Sequence, residues 1–324
     1  MQAEPLFRWS ESATELVGFV ALFLRAGAIG FRYSVLRGRL PAPAGGPHTD
    51  PLASLYERAA RRAAVMGLLG VLGWIVLLIP QLSAGAARAH ISVGELMTRN
   101  AQGIMNVGFP LLAVIGFALA VAGFRAGWPV AAIGVVAGAL SAAFLGQWSR
   151  LVNPVHSLAG GLWIGTLLVL VVAGVATLFG EPALRDRRGA IAAEMVNAFS
   201  PLALTMGIVV VLFGLITAWR HLHVLSNLWS TPYGLTLVVK LVFVGLVFAL
   251  GAFNWRRQRP TLGSDEAAVS IRRSSRWELT VAGIVLVVTA VLVSIRPPRA
   301  PGARAGGPPG AQSGAPPAGA PAAK

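Results

Sequence analysis

Apolar runs of about 20 residues recur along this chain with short polar connections between them, and no other feature constrains the fold as strongly. A helix of that length rises about 30 Å, the thickness of a bilayer's hydrocarbon core, and it satisfies its backbone hydrogen bonds internally. The runs are aliphatic throughout, without the alternation of a transmembrane β-strand. The expected fold is therefore all-α, a polytopic membrane helix bundle. Charged residues make up only 12% of the chain, about half the roughly 25% of a soluble domain.

About eight spans are expected, near residues 14–36, 63–82, 103–124, 128–147, 153–170, 199–219, 234–253 and 277–295. The segment before the first, MQAEPLFRWSESATE, lacks the basic start and small-residue cleavage site of a secretory signal, so the first span is expected to be retained. Residues 296–324 are almost entirely Pro, Ala and Gly and have no apolar face to bury, so a disordered tail is expected. With the N-terminus outside, the inner connections hold fifteen Lys and Arg residues and the outer side nine. The remaining three, Arg25, Arg32 and Lys240, lie within spans. By the positive-inside rule both termini are expected to face the periplasm of a bacterial inner membrane.

The formal charge of +15 would suggest a nucleic-acid partner in a soluble protein. Here the arginines sit in the connections, so membrane lipid is the expected partner and nucleic acid is not. No cysteine is present, which excludes disulfides, thiolate metal sites and thiol redox chemistry. No phosphate-binding loop, zinc-protease helix or nucleophile elbow occurs, and no carboxylate lies deep in a span. The chain is therefore not expected to be an enzyme, and a proton-coupled pump is disfavoured.

An ionisable group inside an apolar span is costly, and the fifth span, NPVHSLAGGLWIGTLLVL, carries His156 near its start. In a regular helix His156, Gly160 and Trp163 share one face, an imidazole, a gap and an indole. Arg25, near the middle of the first span, is expected to face the bundle interior, and Arg32 to reach the nearer surface. With the N-terminus outside, His90, His156, His221 and His223 lie on or just below the outer face together with Met97 and Met105. Imidazole and thioether are ligands for copper, and thioether favours Cu(I). The candidate metal ligands are His156, His221, His223 and Met105. His221 and His223 can share a side only where the chain is extended.

A family resemblance rests on H-x-x-x-G-x-x-W-x-G in the fifth span, F-S-P-L-A at Phe199 to Ala203, T-P-Y-G at Thr231 to Gly234, Lys240, and W-E-L at Trp277 to Leu279. In these the chain resembles the copper resistance D (CopD/PcoD-type) membrane proteins over roughly residues 153–298. Earlier spans match in outline only. The resemblance implies an eight-helix inner-membrane protein of copper resistance or uptake that works beside a periplasmic copper-binding protein. It carries one residue, His156, onto a family motif. The chain reads Gly146-Gln147-Trp148 where relatives often have a further histidine after the glycine. The expected organisation is an outer segment at 1–13, a four-helix half at 14–147, a CopD-like half at 148–295 and the tail at 296–324.

The resulting expectation is a protein that takes copper ion from the periplasmic face and moves it inward. One alternative is a b-type haem electron-transfer subunit, with His156 and either His221 or His223 as axial ligands. Another is a membrane scaffold that recruits a periplasmic partner.

Overall fold

A computed structural model describes residues 9–40, 50–222, 224–258, 283–284 and 287–289. Among these all regular structure is helical. Helix α1 (Trp9–Gly30) runs into a wide π turn at Phe31–Val35. Helix α2 (Pro51–Ala89) starts where the Asp50 carboxylate accepts from the Leu52 N–H at 3.0 Å and Pro51 supplies a helical φ. It ends at His90, which adopts a left-handed φ of 54°. Ser92 accepts from the Glu95 N–H to start α3 (Val93–Thr98), and the Asn100 side chain accepts from the Gly103 N–H to start α4 (Ala101–Val121). Gly123, at a φ of 95°, turns the chain into α5 (Gly127–Ala139).

After α6 (Ser141–Phe144) a long, interrupted span begins at Trp148. It passes through α7 (Val152–Gly160), a π turn at Gly161–Gly165, α8 (Thr166–Val169), a second π turn at Leu170–Val175, and α9 (Ala176–Phe179). Helix α10 (Arg188–Leu222), the short α11 (Asn227–Ser230) and α12 (Pro232–Gln258) complete the described chain.

Six of these segments are long and apolar enough to cross a membrane: Ser12–Val35, Pro51–Ala89, Ala101–Val121, Trp148–Phe179, Pro182–Arg220 and Pro232–Ala249. Of the eight expected spans, six are matched among the described residues. The fourth expected span breaks after α5, a shorter apolar helix of 13 residues, because the chain leaves helical geometry at Leu140. The eighth, at 277–295, falls almost wholly outside the described residues, as do the tail and residues 1–8. Most of the charged link expected at 181–197 belongs to the first turns of α10. Arg61 and Arg62, expected to end a short helical piece before the second span, lie within the continuous α2.

Large apolar side chains such as Leu204, about 70% exposed, cover the outside of the bundle, a surface suited to lipid. The inside is closed by small residues. A Cβ on Gly27 would run into the Gly165 carbonyl, and one on Gly165 into the carbonyl of Phe23, so α1 and the interrupted span meet backbone to backbone. One end of the bundle is tied by arginines. Arg58 pairs with Glu181, Arg62 donates to the Thr177 hydroxyl at 2.7 Å, and Arg188 donates to the Phe179 carbonyl, left without an intrahelical partner at the end of α9.

Because the obstacle at Gly165 is backbone, it cannot rotate away. Gly165→Val should destabilise the fold by about 1–3 kcal/mol or more, read as a lower thermal midpoint in detergent. Gly245→Ala, where a Cβ meets nothing within 4 Å, should leave that midpoint unchanged or raise it.

Candidate functional site

Away from the arginine-tied end, the bundle encloses a cavity of about 910 Å³. Its walls come from the same-side ends of successive spans: Glu15 at the start of α1, Gln81 towards the end of α2, Met105 at the start of α4, Thr217 near the end of α10 and Tyr233 at the start of α12. Arg25, His156, Trp163 and Lys240 line it more deeply.

His156 is fixed by α10. Its Nδ1 lies 3.0 Å from the carbonyl oxygen of Val210. A carbonyl only accepts, so Nδ1 carries the proton and Nε2 of the neutral ring keeps its lone pair. In a helix the Val210 carbonyl also accepts from the N–H four residues on, at Gly214, and its second lone pair serves the imidazole. Gly214 makes the approach possible, since a Cβ there would stand 2.9 Å from the imidazole Cε1. A neutral ring oriented through Nδ1, with Nε2 free, has the form in which histidine ligates metals.

The deeper wall is cationic. The Arg25 guanidinium stacks on Trp74 of α2, 4.7 Å from the ring centroid, the interior partner expected for it. Lys240 lies within electrostatic reach of the His156 ring. Trp163 stacks on Phe248 of α12 with centroids 4.6 Å apart. His156, Gly160 and Trp163 all line the cavity, so they share one face as expected although the π turn at Gly161–Gly165 lies between the last two. Gly160 is the gap on that face, since a Cβ there would meet only Phe23, at an ordinary 4.0 Å. Close packing falls one residue later, at Gly161, and at Gly165.

Of the four candidate ligands, His156 and Met105 line one cavity. His221 lies in the last turn of α10, at the same end of the bundle, and its side chain is not described; His223 lies outside the described residues. His90 is exposed at the end of α2 and does not line the cavity. Among the described residues no group of three or more His, Cys, Asp or Glu is placed to hold a metal ion. Sequence reasoning missed Val210, Gly214 and Trp74. Gly214 carried a signal, a glycine in the middle of a 35-residue helix, but Val210 acts through a backbone atom that no side-chain pattern reveals.

Comparison with known proteins adds a family. The model described as Copper resistance protein D matches residues 193–292. Over that stretch the chain is similar to CopD-type proteins. The match takes in Val210, Gly214, His221, His223 and Lys240 and begins after His156, a narrower reach than the resemblance at 153–298. A relative, the copper transport protein CutJ of Bacillus subtilis, is 29% identical over 154 residues, 47% of this chain. The chain covers 26% of that relative's length. No solved structure matches.

The imidazole geometry is open to direct test. In ¹⁵N-histidine spectra of the purified protein, His156 should show a protonated Nδ1 and an unprotonated Nε2, and Gly214→Val should mix the tautomers by displacing the ring from Val210. A protonated Nε2 in the wild type would contradict this geometry.

Proposed function

We propose that this chain handles copper as an integral membrane protein, receiving the ion from the periplasmic face of a bacterial inner membrane and moving it inward. The observation that carries the reading is the cavity that gathers His156, with a free Nε2, and the Met105 thioether at one end of the bundle. Nitrogen and sulfur donors without thiolate suit copper in an oxidising compartment. The CopD match and the copper transport protein among the relatives support the same cargo.

In this reading His156 is the entry ligand and Met105 a second donor, with His221 and His223 at the rim. The orientation follows from charge. The end tied by Arg58, Arg62 and Arg188 faces the cytoplasm, and the cavity faces the periplasm, where a copper-binding protein delivers the ion. Below the cavity, Phe31, Phe117 and Leu170 are fully buried and close the way through. Inward movement requires that layer to part. The π turns at Phe31–Val35 and Leu170–Val175 meet there, where Gly174 packs on Phe31, and such turns can tighten to α geometry and shift the faces beyond them.

Copper affinity, measured by competition with a chromophoric chelator, should fall on the order of 10–100-fold in His156→Ala and stay unchanged in His90→Ala. Equal effects of the two substitutions would remove His156 from the site. Cells lacking the gene should accumulate less copper.

A further inference from the structure

The cavity has two properties that a site for a bare copper ion does not need. At about 910 Å³ it is the size of a small-molecule pocket, far beyond the volume of a single ion with its donor atoms. Its deeper wall also carries two cations, Arg25 and Lys240, on either side of His156 in the chain and both facing the same space. Among the described residues Arg25 is met by the face of Trp74, and neither side chain has a carboxylate partner. A free copper ion at His156 would add positive charge to a low-dielectric space that already holds two cations.

We propose that copper enters this cavity as a complex with a small anionic carboxylate ligand, the carboxylates resting on Arg25 and Lys240 while the metal meets His156. This inference rests on the copper reading above. Arg25 offers a planar set of N–H donors and Lys240 a mobile ammonium. An anionic ligand brought in with copper gives both half-buried cations a counter-charge and cancels the charge of the metal. Docking involves no redox step. The imidazole Nε2 lone pair takes one position on copper, and the carboxylate oxygen it displaces moves to the ammonium of Lys240. The apolar remainder of the lining, with Trp74 and Tyr233, makes room for the ligand's carbon skeleton.

The test uses full-length protein in nanodiscs of zwitterionic lipid, equilibrated with copper(II) ¹⁴C-citrate or with the cationic copper(II) imidazole complex. Copper is counted by mass spectrometry and citrate by radioactivity. Wild-type protein should retain citrate together with copper. Lys240→Met should bind the citrate complex at least tenfold more weakly, with copper uptake from the imidazole complex unchanged or raised, and Lys240→Arg should stay within threefold of wild type. Arg25→Met provides the second variant and should act in the same direction. Copper retained without citrate, or tighter uptake of the cationic complex by the wild type, would overturn the proposal. If that uptake still depended on His156, the copper reading would survive alone. Failure to bind copper from either source would end both. Repeating the assay with phosphatidylglycerol in the discs separates a lipid phosphate from the carboxylate: citrate lost while copper stays would assign the cations to lipid and overturn the proposal.

Discussion

The backbone contact between Gly27 and Gly165 sets the position of everything functional in this bundle. Where two helices touch without side chains between them, residues one or two turns away are brought onto a shared wall. Arg25 lies two residues before Gly27, and His156 lies nine before Gly165, towards the open end. The same contact therefore puts a guanidinium from α1 and an imidazole from α7 around one cavity. Larger residues at either glycine would hold the two helices apart and widen that space.

Charge explains why the cavity exists at that level of the bundle. Arg25 and Lys240 lie within apolar spans and face the cavity, and each needs solvent, an aromatic face or an anion. Trp74 supplies the aromatic face for Arg25, and the cavity supplies the space for both. At the opposite end the arginines are spent on structure, on Glu181, Thr177 and the carbonyl of Phe179. One end of the bundle is thus locked, and the other holds Arg25 and Lys240 around His156, with Glu15 nearer the mouth of the cavity. That asymmetry suits a protein that receives something at one face.

The helical class and the membrane setting were legible because they depend on run length, and His156 stood out through the cost of burying an ionisable group, both one-dimensional properties. Arg25 as an interior residue was legible for the same reason. The extent of α2 was not, because Arg61 and Arg62 interrupt the apolar pattern although the helix runs through them from its Asp50-Pro51 start. The π turns were not, because a wide turn leaves no mark on composition, although His156, Gly160 and Trp163 still share the cavity wall. The bond from His156 to Val210 joins a side chain to a carbonyl 54 residues away, a relation that only the packed bundle specifies. His223 and most of the eighth expected span lie outside the described residues.

The central claim is that this bundle carries copper. The most direct measurement is the metal content of protein purified from cells supplied with both copper and haem precursors, taken by mass spectrometry beside an absorption spectrum. The account predicts close to one copper per chain and no Soret band. A Soret band with haem in place of copper would contradict it.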